Sequence, residues 1–251
     1  IIIKSFASAA AFILVFTATV NLSPSTAFAM EQVPILGSLV RLVSFSNLTY
    51  QDDIYEADID IPRIEGLEDV TLQNTLNQKY LEENTQLFND FLVAIGDKKI
   101  DPSAFGLYTN YKVKTETEDI FVVESVKTEI AASGAESVHY DNIDLKNQII
   151  ISLPSLFTDD NYIDVISNYL NSYMQEHIKI EEGIMYFLEI NGDVGGFDKI
   201  GAEQSFYITA ESKLVIVFNE YAVAPGSMGI VEFTIPTDVL KDILVSDVYI
   251  K

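Results

Sequence analysis

The sequence predicts an α+β fold of two small lobes, each a long helix packed on antiparallel strands, behind an N-terminal membrane or signal segment. Two segments place apolar residues three, four or seven positions apart, the spacing of an amphipathic helix. Around them lie runs in which apolar and polar residues alternate, joined by short turns, as in antiparallel strands. Helices and strands do not alternate one for one along the chain, so a parallel α/β fold is not expected.

Residues 1–29 are predicted to be a signal anchor or a transmembrane segment. Lys4 precedes an apolar run of 17 residues, 6–22, which reaches the lower limit for a membrane-spanning helix. A cation, an apolar segment and a cleavage site with small residues, in that order, are also typical of a secretory signal. The predicted cleavage-site residues are Ala27, Phe28, Ala29 and Met30.

The first lobe is predicted from alternation followed by helical spacing. Residues 30–48 are expected to form a juxtamembrane tether and the first strand, and residues 49–147 an N-terminal α+β domain. In YEADIDIP, apolar and acidic residues alternate up to Pro62, which is expected to end the strand. Helical spacing then begins, with Asp69 or Thr71 as the cap.

Two hairpins and a second helix are predicted next. The hairpins are expected to turn near residues 118–119 and at residues 146–147. Residues 148–251 are expected to form a C-terminal α+β domain, which begins with the amphipathic helix of FTDDNYIDVISNYLNSYMQEHI. A short helix is expected at Thr237, behind a proline. Four β-rich stretches are predicted in this domain, at residues 184–190, 205–210, 214–224 and 229–235.

The chain is strongly acidic and lacks cysteine. Its 251 residues include 15 Lys and Arg against 38 Asp and Glu, a net charge of −23. Lys4 is the only charged residue before Met30, so residues 30–251 carry 14 basic and 38 acidic side chains, net −24. Such a surface repels nucleic acid and anionic lipid and attracts basic proteins. Without cysteine the chain has no disulfide, thiolate nucleophile or cysteine metal site.

Motifs for catalysis and for cofactor binding are missing from the sequence. His139 and His177 lack the spacing of metal ligands, and they are expected in a strand and near a helix C-terminus. NGDVGG, residues 191–196, lacks the regularly spaced oxygens of a calcium loop and is predicted to be a turn. No catalytic, cofactor-binding or metal-binding residue is predicted, and the chain is not expected to be an enzyme.

The stretch FNEYAVAPGSMGIVEFTIP differs from ordinary core sequence. Two apolar strands flank a connection in which Pro225 fixes φ, while Gly226 and Gly229 permit positive φ. This pattern predicts a rigid, protruding loop that exposes Ser227 and Met228. A rigid loop loses little conformational entropy on docking, so we expect a binding role.

Four stretches of the chain together resemble the RsiV-like anti-sigma-V factors, the bacterial lysozyme sensors. The C-terminal part, GAEQSFYITAESKLVIVFNEYAVAPGSMGIVEFTIP, and LPSLFTDDNYIDVISNYLNSYM resemble the sensor domain of that family. YEADIDIPRIEGLEDVTLQNTLNQKY resembles its companion domain, which also precedes some peptidoglycan deacetylases. AMEQVPILGSLVRLVSF resembles the segment just outside its membrane anchor.

The resemblance implies a membrane-anchored sensor with one N-terminal helix and an extracellular C-terminal domain. Lysozyme binding would expose the site after Ala29 to signal peptidase, and an intramembrane protease would then free an ECF sigma factor. The sigma-binding segment is expected upstream of Ile1. Family loops tend to place an aromatic residue after the glycine, where this chain has Ser227. The partner-binding residues implied by the resemblance are Tyr221, Ala224, Pro225, Gly226, Ser227 and Met228.

A second interpretation stays open at this point. The same domains also fit a secreted or anchored cell-wall module that binds peptidoglycan and has no signalling role. Cleavage after Ala29 with or without lysozyme would leave only an ordinary signal peptide. Ligand-dependent cleavage would favour the sensor.

Overall fold

The described part of the computed structural model begins at residue 40, within the predicted tether and first strand. It comprises residues 40–96, 105–131, 133–179, 182–188 and 196–251. The predicted anchor and the cleavage-site residues Ala27, Phe28, Ala29 and Met30 lie outside these ranges. Within these ranges no helix combines the length and the apolar character needed to cross a bilayer.

A six-stranded mixed sheet forms the larger part of the fold. Its spatial order is β1 (Arg41–Gln51), β2 (Tyr55–Glu65), β3 (Phe105–Glu116), β4 (Ile120–Ala131), β5 (Ser133–Asp144) and β6 (Ile149–Ile151). Every neighbouring pair is antiparallel except β2 and β3, which are parallel. The prediction of purely antiparallel strands is therefore wrong for this pair. The reason is the connection, because helix α1 (Val70–Gly96) carries the chain back along the sheet before β3 begins.

Strand β2 does not end at Pro62, in contrast to the prediction. It continues to Glu65, and Pro62 lies opposite Ser44. The register of β1 shifts between Ser44 and Ser46 at this point. A proline cannot donate a hydrogen bond to a neighbouring strand, but an irregularity in the pairing removes that requirement. The bulge therefore accommodates the proline inside the strand.

Helix α1 is capped as predicted and packs on one face of the sheet. The Asp69 carboxylate accepts hydrogen bonds from the backbone N–H of Thr71 at 2.7 Å and Leu72 at 3.1 Å, which confirms Asp69 as the cap. The buried residues of α1 then contact two apolar clusters of the sheet. These helix residues are Leu76, Tyr80, Phe88 and Phe91.

The C-terminal part of the chain forms a second, smaller layer. It contains α2 (Asn161–His177), β7 (Phe206–Ile208), β8 (Leu214–Phe218), β9 (Val231–Ile235) and α3 (Thr237–Leu240). The last three strands form an antiparallel sheet in the order β7, β8, β9. The predicted hairpins β3–β4 and β5–β6 and the short helix at Thr237 are confirmed. The β-rich stretch 184–190 is not a strand in its described part, where Ile184 and Leu188 make only isolated bridges.

Strand β4 is buried on both faces, which places the large sheet between the two layers. Phe121 and Val123 belong to the cluster under α1. Ile120 and Val122 belong to the cluster that includes α2 and the small sheet. Side chains on a strand alternate between faces, so an unbroken apolar run marks a strand covered on both sides.

Asn142 joins the small sheet to the large one. Its side chain, on β5, is completely buried. Its Nδ2 donates to the carbonyl of Phe206 at 3.0 Å, and its Oδ1 accepts from the N–H of Ile208 at 3.0 Å. Asn142 thereby satisfies both polar groups that β7 presents to β5.

A buried ion cluster also joins the two sheets. Glu124 is 3% exposed, and its carboxylate lies 2.7 Å from the Lys112 ammonium and 3.3 Å from that of Lys114. Lys114 also lies 2.8 Å from Glu232 of β9. A register shift between Val113 and Thr115 interrupts the strict alternation predicted for β3. Burial would raise the pKa of Glu232, but hydrogen bonds from Lys114 and a tyrosine hydroxyl outweigh it and lower that pKa.

Candidate functional site

The connection between β8 and β9, residues 219–230, holds the predicted partner-binding residues and starts along the edge of β5. Asn219 Oδ1 accepts a hydrogen bond from the N–H of Val138 at 2.8 Å. The Glu220 N–H donates to the carbonyl of Glu136 at 3.2 Å, and Glu220 Oε2 accepts from the Glu136 N–H at 2.8 Å. These bonds fix the start of this connection, hereafter the 219–230 loop, to the large sheet.

Tyr221 is the most distinctive residue of the 219–230 loop. Its φ is +66°, a backbone conformation that a bulky residue rarely adopts. Its side chain is 49% exposed, yet the ring lies directly on Gly226. A Cβ atom at Gly226 would stand 2.3 Å from the Tyr221 Cζ. Only glycine at this position leaves space for the ring.

A tight turn follows the contact with Tyr221. Residues Gly226–Met228 form a 3-10 turn, in which the Met228 N–H donates to the carbonyl of Pro225 at 2.9 Å. The Gly229 N–H donates to the carbonyl of Gly226 at 2.9 Å, and Gly229 has a φ of +63°. The backbone of the turn therefore requires glycine at Gly229, whereas Gly226 is required by the Tyr221 ring that lies on it.

The predicted partner-binding residues differ in their access to solvent. Tyr221 and Ser227 are exposed, whereas Pro225, Gly226 and Met228 are half-buried. Ala224 is only 1% exposed, so it supports the loop from below and has no surface to offer a partner. The same holds for the neighbouring Val223, whose carbonyl accepts the Phe187 N–H at 2.8 Å.

Met185 extends the exposed apolar surface beyond the predicted residues. Its backbone N–H donates to the Met228 sulfur at 3.4 Å, and its side chain is 39% exposed. Met185 and Met228 thus lie in contact next to the exposed Ser227, while the Tyr221 ring lies on Gly226. No sequence pattern marked Met185, because its position depends on a contact across 43 residues.

Acidic groups lie at the base of the 219–230 loop. Glu136 and Glu220 meet there, and neither carboxylate has an ion-pair partner within the residues that the structure describes. Unpaired carboxylates beside an apolar surface suit a partner that carries lysine or arginine around an apolar contact.

Comparison with known proteins identifies the relatives of this fold. The chain is 38% identical over 245 residues to anti-sigma-V factor RsiV of Bacillus subtilis (strain 168), covering 97% of this chain and 85% of that protein. The chain belongs to the RsiV family of anti-sigma factors. Residues 154–238 also match a protein family described as "Protein of unknown function (DUF3298)". An anti-sigma factor acts by binding, so membership of the RsiV family confirms the prediction that the chain is not an enzyme.

Two solved structures share the fold of this RsiV-family chain. A DUF3298 protein from Bacteroides fragilis superposes with a TM-score of 0.56 at 18% identity, over 83% of this chain and 95% of that one. A DUF3298 protein from Pseudomonas aeruginosa PAO1 gives a TM-score of 0.56 at 13% identity, over 84% of this chain and 96% of that one. At this identity the likeness concerns the fold alone.

The two histidines of this RsiV-family chain occupy structural positions. His139 lies on β5, with its Nε2 3.6 Å from Asp141, and His177 ends α2 with its ring stacked on Tyr173. No group of three or more potential metal ligands occurs in the described ranges. Burial alone would raise the pKa of Asp141, but His139 and Lys79 lower it to about 2.

Proposed function

We propose that the chain is the extracytoplasmic sensor part of a membrane-anchored anti-sigma factor that binds lysozyme. Binding would lead to signal-peptidase cleavage after Ala29, intramembrane proteolysis and release of an ECF sigma factor. Residues 1–29 would be the anchor, residues 30–48 the tether with the first strand, and residues 49–147 and 148–251 the two external domains. The 38% identity to RsiV over 97% of the chain carries this proposal.

The exposed surface of the 219–230 loop supports a protein ligand. Family loops tend to carry an aromatic residue after the glycine, and this chain has Ser227 there. Tyr221 supplies an aromatic ring beside this position instead, because it lies on Gly226. Its backbone and the 3-10 turn hold this ring before any ligand arrives, so little entropy is lost on binding. Aromatic residues at such positions often dominate interface energy.

The charge of the chain supports a basic ligand. Residues 30–251 carry a net charge of −24, and unpaired carboxylates lie at the base of the 219–230 loop. Lysozyme is strongly basic. Complementary charge of this kind mainly accelerates the encounter of the two proteins, and this effect weakens as the salt concentration rises.

The length of the tether supports steric control of cleavage. The first described strand begins at Arg41, and the chain between Ala29 and Arg41 spans at most about 40 Å when fully extended. In the proposed sensor, a tether of this length would allow the folded domain to obstruct access of signal peptidase to Ala29. Lysozyme would relieve this obstruction by favouring a state in which the tether is free.

Cleavage can be tested on membranes that contain the full chain. Incubation with lysozyme should produce a fragment whose N-terminus is Met30, as read by N-terminal sequencing. Ala29→Phe should block this cleavage, because signal peptidase requires a small residue there. Ala29→Ser is the matched control and should be cleaved like the parent chain. Equal cleavage with and without lysozyme would refute the sensor and leave an ordinary signal peptide.

Lysozyme binding can be tested through Tyr221. In lipid nanodiscs, Tyr221→Ala should weaken binding by about 1–2 kcal/mol, or roughly 5- to 30-fold, because an exposed aromatic anchor is lost. Phe45→Ala is the matched control, since Phe45 is an aromatic residue of similar exposure, 41%, on β1. Lysozyme that does not bind the folded parent chain would refute the proposal outright.

A further inference from the structure

An open groove of about 790 Å³ lies between α1 and the C-terminal layer, over strands β3, β4 and β5. One wall is α1 with Glu83 and Asn84, and the other is formed by residues 201–205 together with residues 217–222. Ligand pockets commonly have volumes of about 300–1,000 Å³. The groove is therefore large enough for a small molecule of several rings.

The floor of the groove is polar and regular. Strands β3, β4 and β5 contribute one side chain each to two rows that cross the sheet, as the strand pairing shows. Val126 and Val138, on the same strands, also line the groove and pack into the apolar core. The two rows are Tyr111, Ser125 and His139, followed by Thr109, Lys127 and Ser137.

Several of these polar groups have unused hydrogen-bonding capacity. Asn84 is 2% exposed, and its Nδ2 donates to the Tyr80 carbonyl and to the Tyr111 hydroxyl, both at 2.7 Å. No donor in the described ranges reaches Asn84 Oδ1, and no acceptor there receives the Tyr111 hydroxyl proton. Burial raises the pKa of Tyr111 to about 12, so that hydroxyl keeps its proton at neutral pH. The half-buried Ser125 hydroxyl likewise has no partner among those residues.

The charges of the groove exclude an anion as its ligand. The Lys127 ammonium lies 2.8 Å from Glu129, which neutralises it. Glu83 and Glu203, on opposite walls, have no ion-pair partner in the part of the chain described. The uncompensated charge at the groove is therefore negative and favours a neutral or cationic ligand.

We propose that this groove binds a short oligosaccharide of neutral or amino-bearing sugars. A sugar hydroxyl both donates and accepts, which matches the adjacent acceptor Asn84 Oδ1 and donor Tyr111 hydroxyl. A peptide cannot pair with the floor as an added strand, since the backbone groups of β4 are already paired on both sides. This site does not depend on lysozyme binding.

Calorimetry on the full chain in lipid nanodiscs, without lysozyme, tests the assignment. The probes are tetramers of N-acetylglucosamine, glucosamine and glucose, with tetralysine as a peptide probe. We expect at least one sugar to bind more tightly than about 1 mM. Tyr111→Phe and Ser125→Val should each weaken the binding of that sugar about fivefold, the effect of losing one hydrogen bond. Comparison of the three sugars identifies whether the ligand is amino-bearing.

Matched variants outside the groove separate binding from folding. Tyr50→Phe and Ser46→Val change the same residue types on β1 and should leave sugar binding unchanged. The proposal is wrong if none of the sugars binds, if the groove variants bind them like the parent chain, or if tetralysine alone is bound. Lysozyme binding by Tyr111→Phe should equal that of the parent chain, so failure here is distinguishable from failure of the sensor.

Discussion

Asn142 provides the sharpest test of how the two sheets are held together. Asn142→Ala removes both hydrogen bonds between β5 and β7. It leaves the carbonyl of Phe206 and the N–H of Ile208 without partners, in residues that are 7% and 0% exposed. A buried polar group left unpaired costs about 1–3 kcal/mol, so the two together cost about 2–6 kcal/mol. This is a large fraction of the about 5–15 kcal/mol by which native domains are stable.

The loss can be measured by urea unfolding of the full chain in nanodiscs. The chain has no tryptophan and 13 tyrosines, so tyrosine fluorescence or circular dichroism reports the transition. A loss of about 2–6 kcal/mol corresponds to a melting temperature lower by roughly 4–24 °C for a domain of this size. Asn142→Asp should destabilise at least as much, because a carboxylate oxygen then faces the Phe206 carbonyl.

Asn168→Ala is the matched control for this prediction. Asn168 is exposed on α2, and its side chain makes no hydrogen bond in the described part of the chain. The free energy of unfolding of the Asn168→Ala variant should stay within about 0.5 kcal/mol of that of the parent chain. A loss below 1 kcal/mol for Asn142→Ala would show that water or a rearranged backbone satisfies β7, and the reasoning would be refuted.

Three further variants test other features. The pKa of Asp141 is about 2 in the folded chain and near 4 in the unfolded chain. The ionised carboxylate therefore stabilises the folded chain by about 2 kcal/mol above pH 4, and this contribution disappears between pH 4 and pH 2. Asp141→Asn should lack this part of the pH dependence in urea titrations. Gly226→Ala should displace the Tyr221 ring and lower lysozyme affinity, with less than about 1 kcal/mol lost in unfolding, because the exposed ring can swing into solvent. Lys114→Met removes a cation shared by two carboxylates and should cost about 2 kcal/mol in urea unfolding.

Each of these variants has a matched control in the same chain. Asp53→Asn and Lys241→Met change exposed residues and should leave stability unchanged. Gly134→Ala adds a Cβ that meets nothing within 4 Å and should preserve lysozyme affinity. The argument for Asp141 is contradicted if Asp141→Asn keeps the acid transition of the parent chain. The argument for Gly226 is contradicted if Gly226→Ala keeps the parent's lysozyme affinity, and that for Lys114 if Lys114→Met keeps the parent's stability.

Local patterns in the sequence predicted most elements of the fold but not their directions. The cap at Asp69 and the hairpin turns depend on neighbouring residues, so the sequence contains the information to find them. The parallel pairing of β2 and β3 depends on the path of α1 across the sheet, which no local period records. The prediction that β2 ends at Pro62 is wrong because a proline is accommodated there only by an irregularity in β1, a different strand.

In the candidate binding surfaces, too, local features could be predicted from the sequence and tertiary contacts could not. The turn of Pro225 and Gly229 follows from residue type, and its position was predicted. The contact of Tyr221 with Gly226 and the approach of Met185 arise from tertiary packing. The groove between α1 and the large sheet was not predicted, because Asn84 and Tyr111 meet only after α1 folds onto the sheet.

The order of strands in the large sheet repeats their order along the chain. During synthesis each new strand can therefore join the growing edge of those already made. The edge of β5 at Glu136 and Val138 is the exception, because Asn219 and Glu220 cover it only after much more of the chain has been made. An open strand edge recruits other chains. We expect chains truncated before Asn219 to aggregate in sedimentation assays under conditions in which the complete sequence stays dispersed.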